Sequence, residues 1–241
     1  MVNEVNEYME SNRFQNLDGI EYKIIQKLLN SDNKYANNVW RILKYNTQKA
    51  LNEPALTRTE KLELVSGTPQ NMQVNTSADA SQDEIKTRVF LYPFVDEAWT
   101  LQATAIYIYV NKIEPINIAQ SNVDVVIETV THASIGVVAT EADSLSNPDE
   151  TNPNDYIYTD DTNPYVEYKS RITVLLKSLL AALNGMFIDG VGYLQFNRAD
   201  KGLFTNSKVE KNLYNRHAFF GDTIHFNVVM SGISDTPDEG F

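Results

Sequence analysis

One short stretch, residues 183–194, constrains the fold more than any other part of the chain. It runs Leu-Asn-Gly-Met-Phe-Ile-Asp-Gly-Val-Gly-Tyr-Leu and follows a long apolar run. A glycine just after the last apolar residue of a helix is typical of a left-handed helix cap, and two further glycines before a tyrosine indicate a turn into a strand. The stretch therefore predicts a helix, a glycine turn and a strand in direct succession. It shows no catalytic pattern.

Three short helices are predicted before residue 68. Asp18 is a potential N-cap of the first, and a polar break at 30–33 separates the first from the second. Thr57 followed by Glu60 forms a capping-box pattern for the third helix, which we expect to end at Gly67. The apolar positions fall on one face of each helix: Ile20, Ile24, Ile25 and Leu28 in the first, and Ala36, Val39, Trp40, Ile42 and Leu43 in the second.

A change to period-two patterning predicts a sheet in the remainder of the chain. The polar stretch 68–83 is interpreted as a linker or loop, and residues 199–216 as a loop. In the strand at 103–110, Ala103, Ala105, Tyr107 and Tyr109 alternate with Thr104, Ile106, Ile108 and Val110. Strands are predicted at 87–93, 103–110, 123–130 (with an extension to Val138 broken at Gly136), 193–197 and 224–229.

The main helix is predicted to follow an acidic insertion at 140–164. Seven Asp and Glu residues lie in that insertion with no Lys or Arg among them, and a loop of this length is usually functional or disordered. Asn163 and Pro164 are expected to be the N-cap and first residue of the helix. Its apolar stripe consists of Tyr165, Tyr168, Ile172, Leu175, Leu176, Leu179, Leu180 and Leu183.

This order of elements predicts an α+β fold. Short N-terminal helices precede a mainly antiparallel β-sheet that one long helix packs, with long loop insertions. We divide the chain into an N-terminal arm at 1–17, a helical segment at 18–67, an α+β core domain at 84–233 that contains the acidic insertion 140–164, and an acidic tail at 234–241.

Composition excludes several functional classes. The 241 residues include no cysteine, which excludes disulfides, thiolate metal sites and a cysteine nucleophile. No apolar run approaches the roughly 18 residues of a membrane span, and residues 1–8 lack the features of a signal peptide. The net charge is −12, so we expect no strong grip on nucleic acid, although DNA could pass such a surface without sticking.

Candidate sites for chemistry are weak throughout. His132, His217 and His225 show no metal-ligand spacing, and His225 is expected on the outer face of a strand because it alternates with Ile224 and Phe226. The carboxylate pairs Asp96-Glu97 and Asp160-Asp161 are expected to be solvated, whereas a general acid needs burial to raise its pKa. We therefore predict that the protein is not an enzyme and has no catalytic, cofactor-binding or metal-binding residue.

Three further patterns have a functional and a structural interpretation. The acidic insertion could bind calcium, but it lacks EF-hand spacing, and a solvated loop is the stronger interpretation. The sequence Gly190-Val191-Gly192 precedes a strand rather than a helix, which is the wrong context for a phosphate-binding loop. Paired tyrosines favour core packing first and a protein interface second: Tyr107, Tyr109, Tyr156, Tyr158, Tyr165 and Tyr168.

Two blocks of sequence resemble neck proteins of tailed bacteriophages. The first comprises residues 24–29 (IIQKLL), 39–45 (VWRILKY) and 51–57 (LNEPALT), and is similar to the opening of those proteins. The second comprises 171–183 (RITVLLKSLLAAL), the glycine turns at 184–192, Phe220-Gly221-Asp222 and the strand 224–229, and is similar to their helix, glycine turn and closing hairpin. The acidic insertion and the N-terminal arm depart from the family pattern.

The resemblance implies a structural virion protein of the head-to-tail connector, ring or tail-completion type. Such proteins form rings of twelve or six copies beneath the portal, contact other neck or tail proteins and let double-stranded DNA pass without sequence-specific binding. The implied location is the neck or tail of the virion, after synthesis in the host cytoplasm. Crass-like phages, whose necks stack several rings, are one implied home. The alternative from another class is a β-rich binding module for carbohydrate or calcium, which would use the tyrosines and the acidic insertion.

Overall fold

The first two helices form because each buries one apolar face. The computed structural model describes residues 19–75, 86–94, 102–117, 120–141, 166–189, 191–196, 209–214 and 219–231. Helix α1 spans Ile20–Asn30 and α2 spans Lys34–Lys44, and both bury the predicted stripes. Asn33 caps α2 by accepting the Ala36 N–H at 2.7 Å. The N-cap of α1 is Gly19 in the left-handed region (φ 78°), and the predicted cap Asp18 lies outside the described residues.

The third helix begins as predicted and ends earlier than predicted. Helix α3 spans Arg58–Glu63, and Thr57 with Glu60 forms both bonds of the capping box. The helix does not reach Gly67, which instead adopts a left-handed φ of 77° in the turn that follows. The expected linker at 68–83 is wrong in its first half, because α4 occupies Pro69–Asn75. Thr68 accepts the Asn71 N–H at 3.2 Å and thereby begins this helix, with proline in its first position.

Five strands of the described residues form one sheet: β1 Val89–Phe90, β2 Thr104–Asn117, β3 Gln120–His132, β8 Val209–Tyr214 and β9 Phe219–Ser231. They lie in the order β1-β2-β3-β9-β8. β1 pairs parallel to β2, and the other pairs are antiparallel. The α+β prediction with a mainly antiparallel sheet is therefore confirmed.

Several predicted strand bounds were wrong. The strand expected at 87–93 is only two residues long, and the loop expected at 199–216 contains β8, which gains its backbone partners from β9. The strand expected at 193–197 is reduced to Gly192–Tyr193 (β7), paired with Phe187–Ile188 (β6), and an isolated bridge from Gln195 to Asn227. In contrast, β2 and β9 are longer than their apolar patterns indicate, and β3 starts earlier, because neighbouring strands extend the pairing. The predicted extension of β3 to Val138 was wrong: β3 ends at His132, and Val137–Glu141 is a separate strand.

A second, two-stranded ribbon precedes the last helix. Strand β4 spans Val137–Glu141 and β5 spans Val166–Ser170, paired antiparallel from Val137↔Ser170 to Glu141↔Val166. Residues 140 and 141 therefore belong to a strand rather than to the insertion. Helix α5 spans Arg171–Leu183, so the predicted start at Asn163 and Pro164 was wrong: Tyr168 lies on β5, while 163–165 fall outside the described residues.

One apolar core joins the helices to one face of the sheet. Ile106, Ile127 and Phe226 on three adjacent strands are fully buried in the same cluster as the stripes of α1, α2 and α5. α5 has 13 residues and α1 and α2 have 11 each, so three helices of similar length pack the sheet and the single long helix is not confirmed. Across the described ranges, no helix combines the length and the apolar character needed to cross a bilayer.

Candidate functional site

The face of the sheet that points away from the helices carries buried polar side chains. Side chains alternate along a strand, so the positions between the core residues of β3 and β9 share this second face. Asp124 is 5% exposed, Glu128 is 9% exposed and Asn227 is 7% exposed. Burying polar side chains is costly unless they have hydrogen-bond partners, so such groups are placed for a structural or a chemical role. We therefore take this polar face as the first candidate site.

Asp124 and His225 form the central pair of the polar face. His225 Nδ1 lies 3.1 Å from each carboxylate oxygen of Asp124, and Asn111 Nδ2 donates to the same carboxylate at 2.9 Å. Asp124 lies on β3, His225 on β9 and Asn111 at an irregularity of β2. The carboxylate thus joins three strands, which are 13 to more than 100 positions apart in sequence.

Glu128 occupies a more apolar part of the same face. Burial raises its pKa, and the Phe94 N–H, which donates to Glu128 Oε2 at 3.4 Å, opposes that shift. The Tyr107 ring lies beside it, stacked on Phe90 at 4.7 Å between ring centroids. Burial also raises the pKa of Tyr107 and of Tyr109, with the Glu128 charge as a further cause. This end of the face favours neutral groups.

The geometry of the polar face does not bring its carboxylates together. Asp124 and Glu128 are four residues apart on one strand, which corresponds to about 13 Å. They cannot share a proton or an ion at that separation. Within the described residues, no three His, Asp or Glu side chains are close enough to hold a metal ion. The polar face therefore links β2, β3 and β9 by hydrogen bonds.

The other histidine and carboxylate candidates are not part of this face or fall outside the described residues. His132 Nδ1 lies 2.6 Å from Ser134 Oγ and accepts the Ser134 N–H, and its ring packs edge-on against Phe219. It therefore closes the turn after β3. The following candidates lie outside the described residues: His217, Asp96, Glu97, Asp160 and Asp161.

The glycine and tyrosine candidates are explained by packing where they are described. Gly192 (φ 119°) lies so close to β9 that an added Cβ would sit 2.7 Å from the Val229 carbonyl oxygen. Its neighbour Val191 is buried, and Gly190 lies outside the described residues. Tyr168 pairs with Ala139 in the ribbon. Tyr156, Tyr158 and Tyr165 lie outside the described residues.

A second candidate site is a basic stripe on the outer side of the helices, formed by Lys23, Lys27 and Arg58. Lys23 and Lys27 are one turn apart on α1, and Arg58 on α3 donates to the Asn30 side chain at the end of α1. None of the three forms an ion pair with another described residue. This basic stripe was missed in the sequence, where its members are 35 positions apart at most and surrounded by acids.

The carboxylates near the basic stripe are engaged elsewhere. Glu21 accepts the Val110 N–H at 3.2 Å, Glu60 pairs with Lys44, and Glu63 pairs with Lys86 at 3.5 Å. Burial lowers the pKa of Lys61, and the Asp32 carboxylate opposes that shift. The surface potential of this layer is therefore set by its unmatched cations.

The charge of the helical layer has the opposite sign to that of the whole chain. Residues 19–75 contain eight Lys and Arg and five Asp and Glu, a net charge of +3. The whole chain carries −12, so the other residues carry −15. Within that remainder, residues 142–165 contribute six acidic side chains and no basic one.

Comparison of this chain with protein-family models, with curated proteins and with solved structures gives no match.

Proposed function

We propose that this chain is a structural subunit of a tailed-bacteriophage neck. In this proposal twelve or six copies form a ring between the portal and the tail and contact further neck or tail proteins. The ring surrounds the DNA path without binding a sequence, and the mature protein resides in the virion.

The observation that carries the proposal is the charge asymmetry of the molecule. A ring is built from heterologous contacts, in which one surface of a subunit meets a different surface of the next. The net charge of −12 supplies acidic residues that the basic stripe of a neighbouring copy can meet. Electrostatic complementarity of this kind sets the register and the rate of association more than the final affinity.

The open edge of the sheet supports contacts through side chains rather than through strand addition. Among the described residues, β1 pairs with β2 only at Ile106 and Tyr107, so no described strand lies along the rest of that side of β2. That edge is interrupted by Glu21, which takes the Val110 N–H, by the irregularity at Asn111, and by a proline at 115 that has no N–H to donate. Such features protect an edge against pairing with another chain.

The remaining acidic surface is compatible with a DNA channel. Duplex DNA carries one charge per about 1.7 Å of its axis, and binding is driven by release of its counterions to Lys and Arg. A chain with 32 acidic and 20 basic residues repels DNA overall. A lumen lined by such a surface lets the genome move without being held.

Sedimentation velocity at several salt concentrations tests this proposal. We expect the full chain to form a discrete ring-sized species at low salt, and the double variant Lys23→Glu/Lys27→Glu to shift it strongly towards monomer. Lys177→Glu, on the exposed side of α5, reverses a charge on another face and should leave the species unchanged.

Two outcomes contradict the ring. A chain that stays monomeric at all concentrations, alone and with portal or neck proteins, is not a ring subunit. If calcium or a glycan also raises the melting temperature of that monomer, the binding-module alternative is the correct one, since a ligand stabilises the native state to which it binds.

A further inference from the structure

Arg171 is a cation buried entirely inside the protein. It is the first residue of α5 and is 0% exposed. Its guanidinium donates to the carbonyl oxygens of Ile42 at 3.0 Å, Thr47 at 3.1 Å and Tyr45. These three carbonyls lie in the last turn of α2 and in the loop that follows, more than 120 positions earlier in the chain.

The charge of Arg171 is balanced by carbonyl dipoles rather than by a carboxylate. No described Asp or Glu forms an ion pair with it. Burial lowers its pKa to about 10, so it remains charged at neutral pH. The C-terminal end of a helix carries partial negative charge and unsatisfied carbonyls, which a buried cation complements.

One backbone hydrogen bond joins the same loop to the β4–β5 ribbon, and a second joins the start of α5 to the residue before β4. The Ala139 N–H on β4 donates to the Gln48 carbonyl at 2.7 Å, and the Arg171 N–H donates to the Gly136 carbonyl at 2.8 Å. The Ala139–Gln48 bond and the three side-chain bonds of Arg171 thus join the ribbon and the start of α5 to the loop and to the last turn of α2. At the far end of the ribbon, Glu141 and Val166 bound the acidic stretch 142–165.

We infer that Arg171 makes the ribbon, the loop at 45–49 and the last turn of α2 a single cooperative unit, which opens as a whole or not at all. If the loop moved away alone, a buried guanidinium would lose its carbonyl partners, and a buried charge without partners is strongly unfavourable. The base of the 142–165 stretch is consequently fixed to the helical layer. This coupling holds whether or not the chain forms a ring.

Native-state hydrogen exchange of the full chain, read by NMR, tests the inference. We expect the amides of Tyr45, Ala139 and Arg171 to exchange with one common opening free energy, because each donates a bond that breaks in the same event. In Arg171→Met all three should exchange roughly tenfold faster or more, and by the same factor.

Two further variants separate coupling from general destabilisation. Lys177→Met removes a charge from an exposed position of the same helix and should leave the three amides unchanged. Arg171→Lys keeps the positive charge but has fewer hydrogen-bond donors, so the three amides should exchange faster by one common, intermediate factor. This variant replaces Arg171→Met in the test if Arg171→Met does not fold. Different opening free energies for the three amides in the unmodified protein, or acceleration at Arg171 alone in a variant, would overturn the inference.

Discussion

Glu60 is a described carboxylate whose pKa is strongly lowered. A hydrogen bond from Lys44 and two from Thr57 lower that pKa from 4.5 to about 2. Because the folded pKa lies below the unfolded one, Glu60 stabilises the fold above pH 4.5, and that contribution is lost as the pH falls through about 2.

Glu60→Gln should therefore lower stability at pH 7 and leave it nearly unchanged near pH 2. The side chain is 35% exposed and thus screened by solvent, so we expect a loss of about 1 kcal/mol or less. Urea unfolding at several pH values measures it. Glu53→Gln, whose carboxylate has no described partner, is the matched control. An equal loss at pH 7 and pH 2 would show that the lost capping bonds, rather than the charge, matter.

The partners of His225 and Arg171 could not be predicted from the sequence. Alternation with Ile224 and Phe226 correctly indicated that His225 points away from the core. It could not indicate Asp124 as its partner, because that pairing depends on the register of two strands 101 residues apart. Arg171 was equally invisible: nothing near it in sequence distinguishes a buried arginine from an exposed one.

At the scale of elements, β3 and β9 approach each other closely at Gly221. A Cβ added at Gly221 would lie 1.8 Å from the Thr129 carbonyl oxygen, which is backbone and cannot rotate away. Thr129 Oγ1 also donates to the Asp222 carbonyl at 2.7 Å, so both sides of this contact are held. Only glycine fits here without separating the strands.

Gly221→Ala should destabilise the protein severely, by roughly 3 kcal/mol or more, since overpacking against fixed backbone forces the strands apart. Gly67→Ala is the control: it places a Cβ in open space at a left-handed φ of 77°, and should cost only about 1–2 kcal/mol. Chemical denaturation gives both values. A loss at Gly221 no larger than that at Gly67 would mean that β9 shifts easily along β3.

Local signals predicted some elements correctly, but they missed others in type as well as in bounds. The capping box at Thr57 and the stripes of α1 and α2 are local, so they were predicted correctly. β5 was taken as helix because Tyr168 and Ile172 fit a helical stripe, and only pairing with β4 turns Val166–Ser170 into a strand. The two faces of β2 were correctly assigned because alternation survives over many residues.

At the scale of the whole molecule, the acidic stretch 142–165 is inserted between two paired residues. Glu141 and Val166 are directly opposite each other in the ribbon, the geometry that a two-residue hairpin turn also closes. The fold of the described residues is therefore expected to tolerate removal of the stretch. Its charge matters for association if copies meet through surfaces of opposite sign.

Replacing residues 142–165 with Asn-Gly should keep the fold and weaken salt-dependent self-association. Shortening a 24-residue loop to two residues lowers the entropic free-energy cost of closing it by only about 2 kcal/mol, so we expect thermal unfolding to stay cooperative. A Gly/Ser stretch of the original length is the control and should weaken association equally if charge is the cause. Undiminished association in both variants would remove this stretch from the interface.

The sequence alone determined the class of the fold, the faces of its helices and strands, the acidic balance, and the resemblance on which the neck proposal rests. These follow from patterns that repeat over a few residues and need no partner. Tertiary structure decided the rest: the ribbon at Val137–Ser170, the Asp124–His225 pair, the basic stripe and the burial of Arg171. Each depends on residues brought together across 25 to 129 positions, where only the packing of the whole chain sets the distance.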